Sequence, residues 1–464
     1  MKRINAKTFV APFANDLDAY IPELWAQESL IRLESNLVAA GLVHRDFEDE
    51  IASHGDIVNT RRPASFTSIR KGTDDDVTTQ DATATNIQVP LDQHTHVSFV
   101  LKDADLTKSF KDLVNEFLDP AVFAVASAID STILNQGYSF IDNPAGKLGT
   151  AATKQTVIDA RTVMNNNKVP MRNRHLIVNA ITEGDLMSDD TFHEADKLGD
   201  DGTALREGSL GRKFGFSIWM DQNAPSIDDS HTTVTGAVDL AAGYAKGTTV
   251  VAVDGFSAAI EDGSWITIAG DMTPQRVTAT TGGATPATIT FYPGLNNAVL
   301  DDAVITSYTP GAIDLVAGYA VGFLEDLTVD TLSVAPQVNQ LLSFGTDTNN
   351  EIYGSMGLIG GQTTTEVALN RSLDVAVANN DIMGVGPSGN YSFAWFRDAI
   401  ALVSRPLVAP PEGTGARSAV ANANNIAVRI TIAYDATAQG LRVTVDVLYG
   451  VKVLNKDMGV IFLG

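Results

Sequence analysis

The stretch GAVDLAAGYAKG at residues 236 to 247 returns as GAIDLVAGYAVG at 311 to 322. WITIAG at 265 to 270 lines up in the same way with QLLSFG at 340 to 345, and LNNAVLDDAVI at 295 to 305 with LDVAVANNDIM at 373 to 383. The offsets are 75, 75 and 78 residues, in order, and three collinear matches predict a tandem duplication. Each copy holds several short strand candidates separated by Gly, Asp or Asn turns, the pattern of a small β-barrel or sandwich. The repeats lie within 226 to 390, where helical signals nearly vanish. There 18 Asp and Glu face only Lys246, Arg276 and Arg371, which gives −15 of the chain's net −24. Helical and alternating order stands on both sides, so the duplicated segment interrupts another domain.

That domain is written around Asp105 to Gly137. Asp105 can cap a first helix carrying Leu106, Phe110, Leu113 and Phe117 at helical spacing. Asp119-Pro120 starts a second, because Asp accepts first-turn N–H groups and Pro loses no bond there. Its apolar face is Val122, Val125, Ile129 and Ile133, with Ser127, Asp130, Ser131 and Asn135 opposite. Small residues, Ala124 and Ala128 among them, leave room for close approach of another backbone. An earlier helix is expected from Pro22 to about Ala40, burying Leu24, Ile31, Leu33, Leu37 and Val38. Later come a helix over 153 to 167, a buried strand HLIVNA, and a closing hairpin of ITIAYD and LRVTVDVLYG. The mixture is α+β.

Residues 64 to 101 are the least core-like of the first third. SFTSIR, NIQVP and HVSFVLK read as strands around the polar run GTDDDVTTQDATATN. A long two-stranded excursion of this kind is marginal alone and needs a surface to lie on. Arg61, Arg62, Arg70 and Lys71 flank Asp74, Asp75 and Asp76, a charge pattern suited to subunit pairing and equally to a solvated loop.

Several classes are excluded. The net charge opposes a nucleic-acid grip through phosphates, although Arg161, Lys168, Arg172 and Arg174 form a mild basic cluster. That cluster suits nucleic acid, an acidic partner or plain solvent. With no Cys there is neither a disulfide framework nor a thiolate metal site. His94 and His96 share a strand face without a third ligand nearby. GVGPSG at 384 to 389 contains Pro and leads into a strand, not a helix, so it is no dinucleotide site. No P-loop, nucleophile elbow or calcium loop is present, and no cofactor, metal or catalytic residue is assigned. The opening MKRINAKTFVAPFAND lacks the apolar core of a secretory signal, and no apolar run is long enough to span a membrane.

The runs RDFEDEIASHGDIVNTRRP (45 to 63), FLDPAVFAVASAID (117 to 130), GSLGRKFGFSIWMDQN (208 to 223), WFRDAIALVSRPL (395 to 407) and LYGVKVLNKDMGVIFL (448 to 463) occur in an order that resembles the major capsid proteins of tailed bacteriophages. The likeness is to the coat-protein family of short-tailed phages typified by phage P-twenty-two. It implies an α+β fold of the Hong Kong 97 capsid type. Its parts would be an N-terminal arm and helix (1–54), an extended loop (55–101) and a peripheral domain with a spine helix (102–152). The first part of an axial domain (153–225), two inserted β modules (226–310 and 311–390) and C-terminal strands (391–464) would follow. The family often carries a β-rich insert here; a doubled one is a departure.

The resemblance implies a structural protein that assembles in the host cytoplasm into an icosahedral virion capsid around double-stranded DNA, without sequence-specific contact. The implied partners are copies of itself in pentamers and hexamers, a scaffolding protein, a portal and, in some cases, a decoration protein. Inter-subunit contacts are expected at Arg61, Arg62, Arg70, Lys71, Asp74, Asp75, Asp76, Ala124 and Ala128. The acidic insert is expected on the outer face, and loss of its second repeat is expected to be tolerated better than loss of 64 to 86. The alternative from the acidic repeats is a surface adhesion or binding protein; an enzyme with an unseen site is the third reading.

Overall fold

The computed structural model describes residues 20–46, 57–62, 66, 68–73, 77, 79–80, 85–102, 117–193, 210–228, 233–283, 286–308, 315–323, 326–330, 335–345, 347, 349–356, 363–411, 415–423, 426–437 and 440–464. The helix expected over 105 to 117 lies almost wholly outside them. The chain divides into two units. One comprises 1–36, 94–126 and 404–448, the other 37–93, 127–403 and 449–464.

In the first unit, α1 (Tyr20–Asn36) lies on β22 (Arg417–Ala423) and β23 (Ile426–Asp435). The sequence starts this helix two residues late and ends it four late, and of its expected buried set Leu33 is buried while Ile31 is not. Ile31 is 65% exposed, while Trp25, Ala26, Leu30 and Leu33 are buried. The expected C-terminal hairpin is present. β23 pairs antiparallel with β24 (Gly440–Val453) from Arg429↔Asp446 to Asp435↔Gly440, and β3 (Gln93–Lys102) pairs with β24. Asp446 is buried there and paired to Arg429, whose Nε donates to Oδ1 at 3.0 Å. This partner offsets the cost of removing the carboxylate from water.

The second unit is built on a mixed sheet. Its order is β4 (Pro144–Gly146), β25 (Gly459–Leu463), β20 (Gly389–Phe396), β5 (Arg174–Val178), β7 (Phe216–Met220) and β6 (Arg212–Lys213). Helix α3 (Lys154–Asn166) is capped by Thr153 and presses Val157, Ala160 and Met164 against Leu176, Phe216 and Phe462. Helix α4 (Ala180–Ser188) begins at Asn179, whose side chain accepts from Thr182 N–H at 2.8 Å. A four-residue helix, α5 (Asp190–His193), follows. The long helix α2 (Asp119–Gln136), whose residues to 126 belong to the first unit and the rest to the second, buries Val122, Val125, Ile129 and Ile133 as expected. The polar stripe predicted to face away is buried too, at Asp130, Ser131 and Asn135.

The segment between Ser226 and Asn390 leaves and rejoins this sheet at one place. β8 (Ser226–Ile227) pairs with the start of β20, Asn390↔Ser226 and Gly389↔Ile227. Inside it stand two β modules. The first is a closed barrel of β9 (Thr233–Val238), β10 (Val250–Asp254), β11 (Trp265–Ile268), β12 (Gln275–Thr281), β13 (Thr288–Tyr292) and β14 (Val304–Tyr308), in the order β10-β13-β12-β11-β14-β9. The second holds β15 (Leu327–Thr328), β16 (Leu341–Phe344), β17 (Tyr353–Met356), β18 (Glu366–Leu369) and β19 (Met383–Val385), in the order β15-β18-β17-β16-β19. Strand for strand, the second order repeats the first without a counterpart of β9 among the described residues. β21 (Ile400–Arg405) completes the strands.

Candidate assembly surface

The extended excursion begins as the sequence suggests. β1 (Ile57–Arg62) and β2 (Thr85–Pro90) pair antiparallel from Ile57↔Pro90 to Arg62↔Thr85. Its root is fixed by packing: Val58 and Val89 cluster with Ala401 and Val403. A Cβ on Gly450 would fall 1.9 Å from the Pro90 carbonyl oxygen, so only glycine admits this approach of the two chains. Asp92 adds a second tie, accepting from Ser372 N–H at 3.2 Å.

Beyond the root, every described residue of the excursion's distal part is exposed, and none of the described residues of SFTSIR lies in a strand. Phe66, Ile69 and Val77 stand 64%, 59% and 75% exposed. Arg70 and Lys71 lie exposed beside them. Arg61 and Arg62 occupy β1 as backbone, and Asp74, Asp75 and Asp76 fall outside the described residues. Charge pointed to this segment in the sequence; its three apolar side chains were missed. Their signal was three separated apolar residues in a polar run, a pattern without a period.

Helix α2 carries the other expected contact residues. Ala124 is exposed and Ala128 half-buried, with Phe123 beside them 55% exposed. The rest of the helix is held inside. Asp130 accepts from Val38 N–H at 2.8 Å and Ala40 N–H at 3.0 Å, which ties the short turn Ala39–Leu42 to the helix. Burial, and after it the nearby Asp221 charge, pushes the Asp130 carboxyl up to about 7. Burial also raises Asp221. Farther along, Asn135 donates to Asn339 Oδ1 at 3.0 Å, and the following Tyr138 hydroxyl donates to Asn339 O at 2.6 Å.

Of the basic cluster seen in the sequence, Arg174 is structural. It is buried, with its guanidinium donating to the carbonyls of Pro170 and Val169 at 2.9 and 2.6 Å. Lys168 and Arg172 are exposed. His94 reaches Asp446 at 3.3 Å, and among the described residues no three His, Asp or Glu side chains are grouped to hold a metal ion. No described helix is long and apolar enough to cross a membrane.

No family model and no curated protein matches the chain. Its path is similar to several solved structures. One is titled Mycobacterium phage Che8, at 15% identity and TM-score 0.44, covering 92% of this chain and 90% of that one. Another is the capsid structure of the cyanophage P-SCSP1u, at 11% identity and TM-score 0.40, covering 90% and 88%. A third is the asymmetric unit of the bacteriophage PhiM1 mature capsid, at 10% identity and TM-score 0.36, covering 90% and 86%. At these scores the likeness by itself decides neither fold nor function.

Proposed function

We propose that the chain is the major capsid protein of a tailed bacteriophage, a structural subunit without catalytic activity that assembles into an icosahedral head around double-stranded DNA. The observation that carries this reading is the excursion with a fixed root and an uncovered apolar end. Phe66, Ile69 and Val77 are each more than half exposed on a segment of too few strands to bury them itself. A second copy of the chain is the cover that a shell supplies everywhere. The ordered residue runs that resemble the phage coat proteins point the same way, and the α+β architecture with a split domain accommodates a Hong Kong 97-type fold of the P-twenty-two-like kind. Pentamers and hexamers are the expected assemblies, with scaffolding, portal and decoration proteins as partners and the virion as the destination.

The duplication of the insert belongs to this proposal. The modules share a strand order over five strands. Tyr244 bridges Val299 in one, and Tyr319 bridges Val377 in the other, at the positions that the sequence repeats equate. In both, a tyrosine hydroxyl accepts a backbone N–H, from Ala252 at 2.7 Å and from Thr328 at 2.8 Å.

The test is Ile69→Asp and Phe66→Asp, beside Ala124→Trp on the helix. All three side chains are exposed, so the thermal melt should hold while particles seen by electron microscopy fall at least about tenfold, through a charge placed in the loop contacts and through added bulk at Ala124. Normal particles from both loop variants would remove the proposal's main support.

A further inference from the structure

One end of the axial sheet gathers cations that the sequence keeps forty residues apart. The loop after α3 carries Lys168 and Arg172, and the β6–β7 hairpin carries Arg212 and Lys213. Both flank the first residues of β5. Arg212 pairs with Ser217, which pairs with His175, and Arg161 on α3 donates to Phe214 O at 3.2 Å. Met171 stands 61% exposed between Lys168 and Arg172. Among the described residues none of these four cations forms an ion pair. Their field is felt inward: Arg212 and Arg397 add to burial in lowering His175, and Arg161 does so for Arg174.

The first barrel presents the opposite sign in the same format. Asp301 accepts from Leu240 N–H at 2.9 Å, and Asp302 N–H donates to Val238 O at 3.0 Å. These bonds place Asp239, Leu240, Leu300, Asp301 and Asp302 together. All five are exposed, Leu300 at 78% and Leu240 at 39%. No described cation pairs with the three carboxylates.

We propose that the basic patch around Met171 docks on the acidic patch around Leu300 of a second copy of this chain. Each patch is an exposed apolar side chain ringed by unpaired charge, and the signs are complementary. In a chain of net −24, like patches repel, and this basic end is suited to receive an acidic barrel. The two surfaces differ, so the contact is head-to-tail and generates rings or rows of copies rather than closed pairs. This inference rests on the self-assembly proposed above and names one of its contacts.

The test uses the full chain in three forms: Lys168→Glu with Arg172→Glu, Asp301→Lys with Asp302→Lys, and all four together. Sedimentation velocity at low and high salt measures the assembled fraction, and circular dichroism checks the fold. Each pair alone should cut assembly at least about tenfold, and the fourfold variant should restore most of it. Zero-length cross-linking of isotopically light and heavy copies should join Lys168 or Lys213 to Asp239, Asp301 or Asp302. Normal assembly by both folded pair variants overturns the inference and leaves the shell proposal standing. Absent rescue in a folded fourfold variant, or a basic pair that loses nucleic acid but not assembly, overturns it as well. A wild-type chain that never associates removes both.

Discussion

The two β modules have one strand order and different attachments. The first touches the main scaffold through a few ties: Tyr292 hydroxyl to Asp142 at 2.6 Å, Leu148 N–H to Met272 O at 3.2 Å, and Lys147 to the Gly270 carbonyl. The second is built into it. Asn339 holds the end of α2, Ser372 holds the root of the excursion, and a charged cluster joins it to the end of β24. In that cluster Arg371 meets Asp374 and Glu351 and sits 4.4 Å from the Tyr353 ring centre, while Lys452 lies 3.0 Å from Asp374. Burial and then Arg371 bring Lys452 down to about 8. Two modules of one strand order thus differ in role: the second braces the scaffold, and the first is joined to it by fewer bonds and to its neighbour module through Arg276. These attachments predict that loss of the first module is tolerated better than loss of the second.

Deleting one module or the other should break this comparison most plainly. Removing about 311 to 385 strips the cover from buried Asn135 and Tyr138 and should abolish soluble, cooperatively melting protein. Removing about 236 to 308 should leave a folded chain of lower stability. Equal yields from the two deletions, measured by soluble expression and calorimetry, would erase the distinction.

Arg276 tests how firmly the modules are joined. It leaves the first barrel, is 1% exposed, and donates to Phe344 and Gly345 carbonyls and to Asn350. Burial lowers it, against the pull of Asp347, Asp381 and Asp262. Arg276→Ala leaves those carboxylates without their cation and should cost about 3–5 kcal/mol in denaturant unfolding. A loss below about 1 kcal/mol would mean that the modules do not depend on it.

Titration sharpens the contrast between helix α2 and the modules. Asp130, held near 7 rather than 3.8, binds its proton more tightly folded than unfolded. Its contribution to stability is therefore fullest below about 4, declines as pH rises to about 7, and is level beyond. The full decline is on the order of 4 kcal/mol. Asp130→Asn should flatten most of that slope, with Asp221 supplying a remainder of the same sign. An unchanged melting-temperature profile between pH 4 and 7 would contradict the assignment.

The smallest effect belongs to Gly384. A Cβ there would come 1.9 Å from the Gly263 carbonyl oxygen, where the modules meet backbone to backbone. Gly384→Ala should cost about 1–3 kcal/mol by forcing them apart. A neutral substitution would show that the seam gives way freely.

What was legible in the sequence was what local periodicity and punctuation encode. Pro120 after Asp119 marked α2, helical spacing over 153 to 167 marked α3, and the C-terminal alternation marked β23 and β24. The strands of the insert announced themselves by repetition. Burial of polar side chains was not legible, because Asp130 and Asn135 look like a solvent stripe until Val38, Ala40 and Asn339 supply their partners. Ile31 failed for a related reason: period alone cannot say which side of α1 meets a sheet that arrives 380 residues later. Of the candidate assembly surface, the excursion was expected and its charges noted. The basic patch was half seen, since Arg212 and Lys213 reach Lys168 only through strand pairing.

The most direct measurement is negative-stain microscopy with sedimentation of the purified full chain, expressed with and without its neighbouring genes. Uniform closed shells tens of nanometres across, lost in Ile69→Asp with the melt unchanged, are the predicted result. A monodisperse monomer under both conditions, at any concentration reached, would contradict the account.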